Sequence, residues 1–316
     1  MTYLRLLTTI VSIMNKTRVS AYIKLILAPI IWGGALSAAR VVTTIVPPFT
    51  TSCIRFILAA LIMVPALYII EGKFPRITKK EFFLLTLLSL TGMVMFNVFL
   101  FSALKTITAI RSSIMIAFTP VVVALAAFVL FKELINKVMA VGIFISIVGV
   151  LITVTSGNIS GVIANGLSIG DIYMTLAVLS WAFYSIVIKS AIARLSALAA
   201  LSYGALIGIV MLLPFTFIER GWSTLSNLTL TSTISLLYLG FFSAGIAYLW
   251  YFEGIKEVGA SKSSVFLNLE PVAAILIGVV FLKEVLTLPL FIGAILVMGG
   301  LFLTSYTHPS KKERLS

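Results

Sequence analysis

Uncharged apolar runs recur along the whole chain, each about the 20 residues that a helix needs to cross the hydrocarbon core of a bilayer, with charges punctuating them. The intervals Glu81 to Lys105, Arg111 to Lys132 and Lys262 to Lys283 each hold one such run. The pattern predicts an all-α integral membrane protein of ten transmembrane helices. Their limits are 24–46, 50–70, 82–104, 108–131 and 138–156 in the first half, and 171–189, 196–218, 233–254, 261–282 and 288–306 in the second. A shorter apolar run, Leu6 to Met14, is too brief to span and is not followed by a cleavage pattern, so it reads as an interfacial helix or a floppy extension. The longest polar stretch, Ser156 to Gly170, is rich in Gly, Ser and Asn without a charge and divides the chain nearly in half.

The halves repeat one another. A shift of 151 residues lays Lys105, Ala109, Ser112, Ser113, Pro120, Lys132, Glu133, Gly142 and Gly149 over Lys256, Ala260, Ser263, Ser264, Pro271, Lys283, Glu284, Gly293 and Gly300 without a gap. A shift of 149 matches Trp32 with Trp181, Arg40 with Lys189 and Pro65 with Pro214. The expected organisation is an extension at 1–21, a five-helix unit at 22–156, a linker at 157–170, a second unit at 171–306 and a basic tail at 307–316. An odd number of spans per unit makes the second copy enter the membrane from the opposite side. Inverted repeats of this kind characterise secondary transporters, because rocking one arrangement into its mirror opens a central site alternately to either side.

Charged residues occupy only 10% of the 316 positions and apolar residues 60%, too little polar surface for a water-soluble globule. The net charge of +13 comes from short Lys and Arg clusters between apolar runs, which set membrane orientation and do not point to nucleic acid. With the amino terminus inside, 17 of the 23 Lys and Arg fall on the cytoplasmic side, among them Arg5, Lys16, Lys73, Lys79 and Lys311. Arg40, Lys105, Arg111, Arg220 and Lys283 fall outside, and Arg55 lies within the second span. Both termini are therefore expected in the cytoplasm, with the protein in the cell membrane.

Cys53 is the only cysteine and His308, in the tail, the only histidine, which leaves no material for disulfides, metal cages or histidine catalysis. The nearest string to a phosphate-binding loop, Gly254 to Gly259, continues as Ala260-Ser261, so neither an ATP-driven pump nor a bound cofactor is expected. A channel or scaffold subunit is the alternative class, and an intramembrane enzyme a weaker one.

Several motifs carry a resemblance. They are Trp32-Gly33, Pro47-Pro48-Phe49, Arg55-Phe56, Pro120 ahead of Lys132-Glu133, and Gly142 to Gly149, with Trp181-Ala182, Leu269-Glu270-Pro271-Val272, Lys283-Glu284 and Gly293 to Gly300 in the second half. From about residue 22 to 306 the chain resembles the drug/metabolite transporter superfamily, in its ten-helix EamA-type branch. The resemblance implies exporters of amino acids and related metabolites, usually in the bacterial inner membrane, with a central cavity between the halves.

The residues offer their own candidates for that cavity. Glu270 stands eight residues past Lys262, about 12 Å along a helix, and so lies deep in a core roughly 30 Å thick. A carboxylate at a span centre costs about 2.5–3.5 kcal/mol on insertion scales, so Glu270 is expected to face a wet cavity, bind a cation or substrate amine, or stay protonated. A hydrogen-bonded structural acid is the bland alternative. Pro271 frees the carbonyl of Leu267 and Pro120 that of Ile116, either to line a site or to form a kink filled by a Ser or Thr hydroxyl. The repeat sets Thr119 opposite Glu270 and Ala117 opposite Asn268, concentrating polarity in one half.

Asn97 sits mid-span and is expected to face another helix or the cavity. Trp32 and Trp181, with Tyr184, lie deeper than an interfacial belt and flank a substrate or simply pack. Tyr248, Trp250 and Tyr251 approach a cytoplasmic helix end, and the last two read as belt residues. Arg55 reads as an anchor near the outer surface, and the Lys-Glu pairs as interface marks or helix caps. The seven-residue glycine pairs suit close helix contact. The candidate substrate-binding set is thus Glu270, Asn268, Asn97, Trp32, Trp181, Tyr184 and Tyr248, with helix breaks at Pro120 and Pro271. The partners expected are a small-molecule substrate, the lipid bilayer and a proton as candidate coupling ion.

Overall fold

The computed structural model describes residues 2–132, 135–158, 160, 166–191, 195–259, 263 and 265–305; Glu133, Lys262 and the tail 307–316 lie outside the described residues. Among the described residues ten long helices follow in order. They are α1 (Thr2–Thr43), α2 (Pro48–Glu71), α3 (Lys79–Leu104), α4 (Ala109–Ala117 and Thr119–Phe131), α5 (Lys137–Thr155), α6 (Ile169–Ala191), α7 (Ala197–Ile218), α8 (Leu230–Val258), α9 (Val265–Leu282) and α10 (Leu288–Ser305). Among the described residues nine stretches are long and apolar enough to cross a membrane, and Leu288–Thr304 in α10 falls just short. The run Leu6 to Met14 forms the leading part of α1, continuous with the span that begins near Val19.

Local chemistry fixes the ends. Thr78 and Glu81 form a reciprocal cap at the start of α3, as Thr229 and Ser232 do for α8. Asn136, Thr108 and Ser196 each accept a hydrogen bond from a backbone N–H of the first turn of α5, α4 and α7. Pro48 opens α2, where its missing N–H leaves nothing unpaired, and Gly72 closes it at φ 70°. α4 and α9 both stop on a lysine in the left-handed conformation, Lys132 and Lys283, each at φ 55° and at matched positions of the repeat.

Packing obeys the same pseudo-two-fold. α5 lies against α10 and α2 against α7, each a helix beside its own counterpart, while α1 against α8 repeats as α6 against α3. At the α5–α10 seam a Cβ on Gly142 would lie 2.6 Å from the Gly300 carbonyl, and one on Gly149 would lie 2.9 Å from that of Gly293. The shift of 151 exchanges these two contacts. Close backbone approach of this kind requires glycine, as the spacing predicts.

The innermost residues, Val42, Phe101, Leu104, Met174 and Leu239, come from α1, α3, α6 and α8 and join the two halves in one core. On the outside, Phe144, Val210, Ile218, Phe281 and Phe302 stand exposed, well over half of each surface open. In water such a girdle would be unfavourable; in lipid it is the solvated surface.

Two irregularities lie at the centre. α3 widens into a π-helical segment at Ser89–Met95 and α8 into another at Tyr238–Ile246, segments that overlap under the 151-residue shift. α4 breaks at Phe118 just before Pro120, and α9 begins as a 3-10 turn, Val265–Asn268, before its α-helical part starts at Leu269. The break in α4 takes the packing form: the Thr119 hydroxyl donates to the Ile116 carbonyl at 2.6 Å, the group that Pro120 leaves unpaired.

Candidate functional site

Widening a helix to i→i+5 bonding leaves carbonyls poorly matched to their own ladder, and each half meets this with a side-chain donor. In α3 the Asn97 amide donates to the carbonyls of Gly92 and Met93, at 3.1 and 2.9 Å. In α8 the carbonyl of Ser243, the repeat counterpart of Gly92, accepts instead from the Trp32 indole N–H of α1 at 3.0 Å. The π segments are thereby held open at membrane depth, a form that recurs at functional sites.

Arg55 bridges them. Its guanidinium donates to Asn97 Oδ1 at 2.6 Å and to Ser243 Oγ at 3.1 Å, and lies over the rings of Phe101 and Phe56 at 5.8 and 6.0 Å. The residue is only 7% exposed. An anchor near the membrane surface is therefore the wrong reading of Arg55. α2 starts at Pro48 and runs inward, so seven residues at about 1.5 Å each carry Arg55 some 10 Å into the bundle.

Glu270 sits in the first turn of the α-helical part of α9, half-buried, where the positive end of the half-helix faces its carboxylate. Its backbone carbonyl packs on α1, leaving no room for a Cβ on Gly33, next to Trp32. Arg55, Glu270 and Tyr248 interact electrostatically with one another, and Tyr251 and Tyr184 join through Glu270 and Tyr248. Among the described residues the Glu270 carboxylate makes no hydrogen bond and no ion pair.

Aromatic rings wall this group on both sides. Trp32 packs on Tyr248 at 5.0 Å and edge-on to Tyr251 at 5.3 Å, while Trp181 packs on Phe96 at 4.7 Å and stacks on Tyr184 at 4.9 Å. Tyr251 thus contacts the Trp32 side of this group, two residues before Glu253, which pairs with Lys24 at an exposed end of α8. Tyr184 fits against Gly92, where a Cβ would lie 2.4 Å from its ring. Below it a small cleft between α3, α6, α7 and α8 is lined by Leu88, Met93, Leu201, Gly204 and Phe252. The structure brings together Glu270, Asn97, Trp32, Tyr248, Trp181 and Tyr184, and adds Arg55, Ser243 and Tyr251. Asn268, half-buried at the junction inside α9, makes no side-chain cap, and Pro271 lies buried in the turn that follows.

One face of the bundle is tied across the halves by charge. Arg40 Nε pairs with Glu284 at 3.2 Å, and Glu284 accepts from the backbone N–H groups of Ala109 and Ile110 at 2.8 and 3.0 Å, capping α4. Arg40 also donates to the Leu104 and Ile107 carbonyls at the end of α3. Arg111 pairs with Asp171 at 2.6 Å, and Glu219 caps α2 by accepting from Thr50. The helix-cap reading of Lys283-Glu284 holds for Glu284.

Two inverted five-helix halves around a charged, aromatic-lined centre define a multi-pass membrane transporter. The EamA-like transporter family matches residues 19–155 and again 168–306, one copy per half, and the chain belongs to it. The uncharacterized transporter YetK of Bacillus subtilis (strain 168) is 30% identical over 92% of this chain and 88% of its own length. YyaM of the same organism, likewise an uncharacterized transporter, is 28% identical over 90% and 93%. The WAT1-related protein At3g02690, chloroplastic, of Arabidopsis thaliana is 27% identical over 87% and 67%. A solved crystal structure of 19% identity shares the fold, with a TM-score of 0.63 over 91% of this chain and 98% of that one.

Proposed function

We propose that the protein is a gradient-driven secondary transporter that exports small polar metabolites, such as amino acids, by alternating access at the Arg55–Glu270 centre. One observation carries the reading: two halves of opposite orientation meet at two opposite charges, a buried Arg55 and a half-buried Glu270, that are not bonded to each other. Glu270 faces the substrate amine or a coupling proton; Trp32, Trp181, Tyr184 and Tyr248 enclose the solute; and Asn97 and Asn268 supply neutral polar contacts. Rocking the halves requires the Arg40–Glu284 and Arg111–Asp171 ties to part, which opens the face they close.

Purified protein in liposomes free of nucleotide should exchange a labelled amino acid against an unlabelled excess, with saturation. A strict need for ATP, or a flux that never saturates, would overturn the carrier reading in favour of a pump or a channel.

The charge asymmetry of the loops supports the cell membrane with both termini in the cytoplasm. Alkaline phosphatase fused after Gly157, between α5 and α6, should be active, and the same enzyme fused after Lys73, between α2 and α3, silent. The reverse pattern would invert the orientation.

A further inference from the structure

We infer that Arg55 is the anion anchor of the transported solute: the solute carries a carboxylate, bound by Arg55, beside the cationic group that Glu270 faces. The inference rests on the transport reading above. A guanidinium has five N–H donors and no acceptor, and among the described residues those of Arg55 meet only neutral partners, Asn97 Oδ1 and Ser243 Oγ. Its Nε is buried and without a partner among the described residues. Two neutral acceptors do not neutralise a cation that is more than nine-tenths buried at membrane depth. Ion pairs elsewhere in the chain show what closure looks like: Arg111 sits directly on Asp171, and Arg40 on Glu284.

Glu270 interacts with Arg55 electrostatically but does not close on it, and Tyr248, packed on Trp32, interacts with both charges. A solute with a carboxylate and an ammonium a few bonds apart satisfies both. A plain amine would leave Arg55 unpaired with a second cation beside it, and a neutral amide would satisfy neither. The fold does not itself demand the charge, because the repeat counterpart of Arg55 under the 149-residue shift is Gly204. Arginine is the residue suited to the task, since its planar fork takes a carboxylate through two parallel bonds.

The test is counterflow in liposomes, with a pool of the common L-amino acids, their carboxamides and the amines left by removing the carboxylate, read by mass spectrometry. At least one amino acid should exchange, with its amide and amine slower by about tenfold or more. Arg55→Gln should lose exchange of the acid, and Arg55→Lys should keep only part of it. Amides or amines that exchange as fast as their parent acids would overturn the assignment while leaving the carrier intact, as would wild-type exchange by Arg55→Gln. No exchange by any member of the pool would sink the amino-acid reading and this inference together. The ligand series uses only the wild-type protein, so the outcome does not depend on whether a variant folds.

Discussion

Glu270→Gln should abolish or uncouple transport while leaving the thermal midpoint of the purified protein near that of the wild type. The carboxylate makes no hydrogen bond or ion pair among the described residues, so an amide of the same shape disturbs no packing and orphans no donor. What it removes is the charge that interacts with Arg55 and that, in the mechanism proposed above, meets the substrate amine or a coupled proton. Counterflow and proton-driven uptake measured beside thermal unfolding separate the outcomes. Normal transport across the pH range would end the role assigned to Glu270, and a midpoint that falls together with transport would make it a structural acid.

Gly142→Leu should cost the fold itself. The Cβ alone would stand 2.6 Å from the Gly300 carbonyl and 2.7 Å from Thr304, so α5 and α10 cannot both stay in place. Overpacking a tight contact costs about 1–3 kcal/mol, and against rigid backbone the upper end applies. Folded yield and thermal midpoint should both drop. Gly299→Leu is the control, since a Cβ there meets nothing within 4 Å although Gly299 adjoins the seam. Equal midpoints for the two variants would show that the seam tolerates separation.

The spans and the repeat were legible because lipid imposes its own period: each run of about 20 apolar residues is a consequence of bilayer thickness, and the helices fall within a few residues of those runs. The glycine seam was legible too, since the shift of 151 exposes two pairs seven residues apart. The π segments were not. Ser89–Met95 and Tyr238–Ile246 read as ordinary apolar helix, and their widening depends on Asn97 and on Trp32 of a distant helix.

Arg55 was misread for a related reason. Its place counted from a helix end looked shallow, whereas its partners Asn97 and Ser243 come from α3 and α8 and leave no local trace. One signal was available: Asn97 is an inward-facing amide that needs a donor or acceptor, and Arg55 is the only basic residue within the sequence-defined limits of the second span.

The seam between α5 and α10 has the geometry of a subunit interface. Gly142 meets Gly300 and Gly149 meets Gly293, so each half offers the same patch to the other, as two copies of one polypeptide do in an isologous dimer. A five-helix half released from its partner would present a row of bare backbone to lipid with nothing to fill it. Covalent linkage through the connection between α5 and α6 fixes one-to-one pairing of opposite orientations. It also frees each copy to diverge, which is how Arg55 and Glu270 came to stand opposite a glycine and a threonine.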